Sequence, residues 1–301
     1  MSFLVKWLEN MHFDLNITNK CSRKRTVYST CSVCMEACSL EALSINQQTI
    51  EINREKCSSC GDCVISCPVS AIEGIAFTRE FENQSLIYNE FYIPSVKEML
   101  IYKCRGLASV KMDCNRMNQQ WETVMKQTNK ILIELGQRPI ELVQKNTKEK
   151  YSRRAFFTSM QTEGKKLAKS LAPASWRMLA NEWNLANYFP EYQFYTVELD
   201  HNKCILCRAC FSFCPQEVFH IRDSVLHIES NKCVKCCDCT DICLENAIQI
   251  RPEIKIKSES PHPFHIKECG DCGQSYYSFQ SEAEKCPICV NRNPEWLSPY
   301  Q

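Results

Sequence analysis

The stretch CILCRACFSFCPQEVFHIRDSVLHIESNKCVKCCDCTDIC, residues 204–243, decides how this chain is read. Cys204, Cys207, Cys210 and Cys214 are separated by two, two and three residues, and Cys233, Cys236, Cys239 and Cys243 repeat the spacing. Runs of three evenly spaced thiolates followed by a fourth are how a chain holds paired [4Fe–4S] cubanes, the fourth cysteine of each run ligating the other cluster. Structural zinc instead uses two separated pairs. The spacing therefore predicts one cluster on Cys204, Cys207, Cys210 and Cys243 and another on Cys233, Cys236, Cys239 and Cys214. Between the runs, VFHIRDSVLHIESNKC at 218–233 alternates on both sides of a polar turn and reads as two short strands.

The same pattern recurs upstream at a constant offset of 176: Cys31, Cys34, Cys38, Cys57, Cys60, Cys63 and Cys67 map without a gap onto Cys207, Cys210, Cys214, Cys233, Cys236, Cys239 and Cys243. Such a repeat implies a duplicated module. ALSINQQTIEINREKC at 42–57 matches the strand pair of the second copy, and SAIEGIAF and NAIQI follow the last cysteine of each. Cys57, Cys60, Cys63 and Cys38 are predicted to hold one cluster. For the other, Tyr28 stands where the second copy has Cys204, and Cys21 is the spare cysteine upstream. A fold-back of SRKRTVYST would complete the set Cys21, Cys31, Cys34 and Cys67; without Cys21 the site would be a three-iron cluster or have an open iron. Pro follows Cys67 and Cys214 but not Cys38 or Cys243. Cys237 is read as a small buried residue, the alternative being an S–H donor to a cluster sulfur. Cys104 and Cys114 are read as structural, the alternative being a redox-active pair.

A third block, Cys269-x2-Cys272-Gly273 and Cys286-Pro287-x-Cys289, has two knuckles joined by QSYYSFQSEAEK, a stretch that suits a hairpin. This is zinc-ribbon spacing, so Cys269, Cys272, Cys286 and Cys289 are assigned to one Zn2+. Rubredoxin-type iron is the alternative, against which stand the short connection and Val290 in place of Gly. His262 and His265 lie nearby, but a closed four-thiolate site does not need them.

The rest of the composition excludes more than it proposes. Lys and Arg total 36 against 35 Asp and Glu, giving a formal charge of +1, without the excess that phosphate neutralisation requires. No apolar run is long enough to span a bilayer, and no secretory signal precedes the first module. Twenty-three cysteines without an export signal argue for metal ligation over disulfides, and a cytoplasmic location is expected. Seven glycines and no phosphate loop or dinucleotide fingerprint make a flavin or nicotinamide domain unexpected.

Between the modules, EMLIYKC at 98–104 reads as a strand. QQWETVMKQTNKILIELG reads as a helix with Trp121, Val124, Met125, Thr128, Ile131, Leu132 and Leu135 on one face and Gly136 as its stop, and RPIELVQ as a second strand. A helical spacer is the alternative. The Lys-rich stretch with Lys165, Lys166, Lys169 and Arg177 reads as a helical lead-in closing at YFPEYQFY. At the N-terminus Phe3, Leu4, Trp7, Leu8 and Met11 share a helical face, read as packing on the first module rather than docking a partner or membrane surface.

The two cysteine blocks, about a third of the chain, resemble bacterial two-cluster ferredoxins. SRRAFF at 152–157 is similar to the start of accessory ferredoxins of periplasmic nitrate reductase systems; its Arg153-Arg154 resembles a twin-arginine signal, but the internal position argues against export by it. The whole resembles polyferredoxin proteins that accompany molybdenum or tungsten pterin oxidoreductases such as nitrate reductase and formate dehydrogenase. The expected fold class is α+β: a first module over 1–80, a mostly helical or small α/β segment over 81–146, the lead-in over 147–200, a second module over 201–256 and a zinc-ribbon-like tail over 257–301. The resemblance implies a non-catalytic subunit or carrier relaying single electrons through four [4Fe–4S] clusters to or from a redox enzyme or another electron-transfer protein. No nucleic-acid partner is expected from the charge balance and no transmembrane segment from the hydropathy, and peripheral contact with a membrane complex stays open. An accessory maturation factor or an iron–sulfur redox sensor is the alternative.

Overall fold

The computed structural model describes residues 15–74, 79–113, 116–144, 176 and 178–291. Outside them lie the N-terminal apolar face, the end of SAIEGIAF, Cys114, SRRAFF and the Lys-rich lead-in. The chain divides into two compact units, Met1–Lys24 with Ser32–Phe189, and Arg25–Cys31 with Pro190–Gln301.

In the first unit, β1 (Asn16–Ile17) pairs antiparallel with β4 (Ile72–Glu73). Between them lie the one-turn helices α1 (Ser22–Arg25) and α2 (Val33–Glu36), the hairpin β2 (Leu43–Asn46) and β3 (Thr49–Ile52), and α3 (Asp62–Ser66). The hairpin turns at Gln47 and Gln48, both left-handed at φ 44° and 68°, as a two-residue type I′ connection requires.

The middle segment is an α/β layer larger than the strand–helix–strand unit expected. Its sheet runs β5 (Phe81–Glu82), β6 (Ser85–Ile87), β7 (Ser109–Met112), β8 (Glu141–Gln144), the last three parallel. Parallel neighbours need helical crossovers, and these are α4 (Val96–Cys104) and α5 (Gln119–Glu134). EMLIYKC, read as a strand, is therefore most of α4. The reason is a capping box: Ser95 Oγ accepts from Glu98 N while the Glu98 carboxylate accepts from Ser95 N, which starts a helix just ahead of an apolar run. Met99, Leu100, Ile101 and Tyr102 are all at most 1% exposed, so the run is buried on every side and carries no amphipathic period.

Helix α5 forms as read. Asn118 caps it by accepting from Trp121 N at 2.8 Å, and Trp121, Met125, Thr128 and Leu132 are buried. Beyond it Gly136 takes φ 67°, with Gly136 N donating to Ile133 O and Gln137 N to Leu132 O. That is a Schellman stop, which favours glycine at the left-handed position.

In the second unit, β9 (Tyr192–Leu199) pairs with β12 (Ile248–Ile256), with a bulge between Pro252 and Lys255. The expected helical lead-in thus ends earlier: YQFYTVEL is β-branched and aromatic enough to form the first strand of this unit. The hairpin β10 (Phe219–Arg222) and β11 (Val225–Glu229) gains a third strand, β13 (Glu259–Pro263). Its turn, Asp223 and Ser224, is again left-handed at both positions. One-turn helices α6 (Ala209–Phe213) and α7 (Asp238–Asp241) lie within the two cysteine runs and carry Cys210 and Cys239. The core gathers Val197, Phe219, Leu226, Ile228, Ile248 and Phe264 around Cys239. At the end, β14 (His265–Glu268) and β15 (Ser275–Ser278) form a hairpin followed by α8 (Pro287–Val290). QSYYSFQSEAEK supplies only its second strand; the Cys269 to Gly273 knuckle is the turn.

Candidate metal centres

Three of the four cysteine runs share one backbone conformation. The residues flanking the middle cysteine are left-handed: Ser59 and Gly61, Leu206 and Arg208, Lys235 and Cys237, with φ from 55° to 84°. Alternating left-handed turns curl a Cys-x-x-Cys-x-x-Cys run so that side chains and amides face one centre. Cys237 thus occupies the place of Gly61, and its thiol, half-buried, lies 3.7 Å from Lys235 O. The run at Cys31 and Cys34 departs from this: Ser32 has φ −127° and α2 begins there.

A second feature is common to all four runs. Three residues after the fourth cysteine comes a left-handed residue, Glu41, Ser70, Glu217 or Asn246. The next amide then donates to the cysteine sulfur: Ala42 N to Cys38 at 3.3 Å, Ala71 N to Cys67 at 3.2 Å, Val218 N to Cys214 at 3.5 Å and Ala247 N to Cys243 at 3.3 Å. Amide donors favour a sulfur that carries negative charge.

The thiols of each module crowd together, with neighbours drawn from both of its cysteine runs: Cys34 lies near Cys63, and Cys210 and Cys214 near Cys239. Burial, with repulsion from Cys60, Cys34, Cys57 and Cys38, pushes Cys63 up to about 12. Burial and Cys204, Cys207 and Cys243 do the same to Cys210; Cys233 reaches about 12 through burial with Cys236 and Cys214 as its neighbours, and Cys239 is raised further by burial and by Cys233, Cys236 and Cys214. Metal-free, these sites would hold protonated thiols; a bound cluster displaces the protons. Cation placement adds to this. Arg25, ion-paired with the fully buried Asp238 and donating to Phe213 O at 3.0 Å, opposes the rise at Cys236. Thr30 anchors the same segment through N and Oγ1 to Asp241 at 2.8 and 2.9 Å. In the first unit Lys97 donates to Ile65 O at 2.7 Å; burial lowers it to about 8, against the pull of Cys67.

Cys21 lies three residues beyond Thr18, just past the β1–β4 pairing. Thr18 N donates to Ala71 O and Asp200 N to Ala247 O, both at 2.8 Å. Cys21 follows Thr18 as Cys204 follows Asp200, one residue sooner. The offset between the copies is 182 for Thr18 and Asp200 but 176 for Ala71 and Ala247, so six residues are inserted after the first strand of the first copy. Cys104 is exposed at the end of α4.

At the C-terminal block, the sulfurs of Cys269, Cys272, Cys286 and Cys289 all lie within 4.8 Å of one another, with Cys272 and Cys286 at 3.9 Å. A tetrahedral ZnS4 centre with bonds of about 2.3 Å needs edges of about 3.8 Å, so the donor set fits. Backbone N–H groups of Cys286 and Cys272 hold the Cys269 thiol below its usual range, while the neighbouring sulfurs push Cys289 up. The structure also gathers His220, His227 and Glu259, which the sequence reading missed; the signal was two histidines placed symmetrically about the Asp223-Ser224 turn.

Comparison with known proteins agrees with this chemistry. Residues 196–244 match the family model of the 4Fe-4S dicluster domain and residues 50–73 that of the 4Fe-4S binding domain. A Haemophilus influenzae protein described as uncharacterized is 49% identical over 43 residues, 14% of this chain and 24% of that protein. The polyferredoxin-like subunit of an aliphatic sulfonate oxidoreductase of Pyrococcus furiosus is 46% identical over 37 residues, 12% of this chain and 21% of that one. The matched stretches thus span less than a quarter of either relative. The chain carries two 4Fe-4S ferredoxin-type domains. No helix among the described residues is long and apolar enough to cross a membrane.

Proposed function

We propose that this chain is an electron-transfer protein or subunit that relays single electrons through four [4Fe–4S] clusters to or from a partner redox enzyme. The observation that carries this reading is the fourfold amide-to-sulfur bond at Cys38, Cys67, Cys214 and Cys243, the cysteines shared between the runs of each module. The clusters, when bound, supply one-electron chemistry at potentials set by charge, hydrogen bonds to sulfur and exposure. The ligand sets proposed are Cys21, Cys31, Cys34 and Cys67; Cys57, Cys60, Cys63 and Cys38; Cys204, Cys207, Cys210 and Cys243; and Cys233, Cys236, Cys239 and Cys214.

The chain's own residues hold and tune these sites. Amides donating to sulfur, and the cations Arg25 and Lys97, both favour added negative charge and so raise the potential of their site. Cys269, Cys272, Cys286 and Cys289 hold one structural Zn2+, whose closed sulfur shell leaves no open position for catalysis. A molybdenum or tungsten pterin oxidoreductase is the partner class the sequence resemblance implies, and the Pyrococcus furiosus subunit is a polyferredoxin-like component of an oxidoreductase. A cytoplasmic location is part of the proposal and rests on the cysteine content, since thiols stay reduced there.

Anaerobic iron, sulfide and zinc analysis, with EPR during reductive titration, tests the assignment. About sixteen irons, with a zinc that is lost on substituting Cys269, and coupled reduced-cluster signals are expected. Fewer than about twelve irons would sink the four-cluster wire.

The inserted segment after Cys21 favours one second reading, a labile site that senses oxidation. Cys21→Ser is expected to lower the iron content by about one and to produce an oxidised three-iron EPR signal, since one thiolate holds one iron corner. An unchanged iron count and spectrum would remove Cys21 from the ligand set.

A further inference from the structure

We propose a second metal site, separate from the cysteines, in which His220, His227 and Glu259 bind one divalent transition-metal ion such as Zn2+ on the outer face of the β10-β11-β13 sheet. Strand register builds it. His220 and His227 are direct partners on β10 and β11, and Glu259 on β13 pairs with Glu229 on β11. With a side-chain period of two, His220, His227, Glu229 and Glu259 project from one face, while Leu226 and Ile228, 2% and 0% exposed, project into the core.

The two rings stack with centroids 5.2 Å apart and planes 4° apart. Their nitrogens converge on one carboxylate oxygen: His227 Nδ1 lies 2.6 Å and His220 Nε2 3.4 Å from Glu259 Oε1. Both nitrogens are buried, and neither finds a hydrogen-bond partner among the described residues. Two buried donors aimed at a single acceptor without hydrogen-bonding geometry are poorly explained as an ion pair. With no well-directed hydrogen bond to either ring, the single carboxylate oxygen leaves both buried nitrogens unsatisfied. A cation between the two nitrogens and the carboxylate satisfies all three atoms: bonds of about 2.1 Å at tetrahedral angles need edges of about 3.4 Å, which His220 Nε2 and Glu259 Oε1 already have at 3.4 Å, while His227 Nδ1, 2.6 Å from that oxygen, would move outward by about 1 Å or less on binding.

Two imidazoles and a carboxylate without sulfur suit a borderline divalent ion rather than an iron–sulfur cluster. Glu229 Oε1, 3.5 Å from His220 Nε2, stands at the edge of the site, its other oxygen paired with Lys232. The fourth coordination position is left to water or to this carboxylate. Because Glu259 lies on the strand leading into the four-cysteine block, the ion ties that strand to the β10–β11 hairpin.

The test is equilibrium dialysis of the anaerobically purified, cluster-loaded full chain against buffered Zn2+ in physiological salt, with metal content read by mass spectrometry. Wild type is expected to hold about one equivalent more zinc than the double variant His220→Gln/His227→Gln, with the same iron content in both. Glu259→Gln, which keeps the shape and removes the charge, is expected to weaken that equivalent about tenfold or more, and it decides the matter should the double variant lose iron. Equal zinc content in wild type and the double variant, or an unchanged affinity in Glu259→Gln, would overturn the proposal.

Discussion

Stripping the iron with a chelator under anaerobic, reducing conditions is expected to unfold the second unit's β9–β12 ribbon and its cysteine loops while leaving helix α5 of the first unit folded. Leu206, Arg208, Lys235 and Cys237 all hold left-handed backbone without being glycine. Each such residue costs roughly 1–2 kcal/mol, so the four together cost about 4–8 kcal/mol, comparable with the whole stability of about 5–15 kcal/mol of an ordinary domain. The apolar core they surround is small, and one of its nine buried members, Cys239, is itself a ligand candidate. Metal–sulfur bonds are the remaining source of free energy large enough to hold the loops. Helix α5 buries Trp121 and Leu132 and carries no cysteine of its own. Amide hydrogen exchange separates the cases: exchange in residues 192–256 should accelerate by orders of magnitude on iron loss, with residues 119–134 protected. Retained protection in β9 and β12 would mean that the sheet stands without its clusters.

What could be read from the sequence follows from what each element needs. The two 4Fe-4S ferredoxin-type domains were legible because cluster ligation imposes a spacing that tolerates few exceptions, and the two hairpins because alternation about a polar turn has one good solution. Helix α5 was legible because one face is buried and the other solvated. Helix α4 was not, because a run buried on all sides has no period, although SVKE at 95–98 held the capping signal. The left-handed positions were hidden for a different reason: of the six beside the middle cysteines, only Gly61 is a glycine. The histidine and glutamate cluster is a product of strand register, which joins residues up to 39 apart in sequence through β13. Likewise, no local pattern marks Arg25 and Thr30 as partners of Asp238 and Asp241, since those contacts span more than 200 residues.

Glu98→Ala is expected to destabilise the first unit by about 3–5 kcal/mol, the usual cost of leaving one member of a buried ion pair unmatched. Arg79 is 5% and Glu98 1% exposed. The guanidinium grips the carboxylate through two bonds, Nε to Oε1 at 2.7 Å and Nη2 to Oε2 at 3.0 Å. The same carboxylate completes the capping box of α4, so its loss also removes an N-cap contribution of about 1 kcal/mol. Nη2 of Arg79 further donates to Asp62 Oδ1 at 2.8 Å, and Asp62 lies between Gly61 and Cys63 in a metal loop. The pair therefore couples the α/β layer to that loop, and its loss should reach the cluster proposed for Cys57, Cys60, Cys63 and Cys38. Asp62→Asn, which removes only the part-exposed arm, should cost about 1 kcal/mol or less. Replacing both partners, Arg79→Met with Glu98→Leu, should recover most of the loss, because no uncompensated charge remains buried. Urea midpoints and the rate of cluster bleaching in air, measured across this cycle, decide it. If Glu98→Ala is as stable as the double variant, the pair is not the clamp described here.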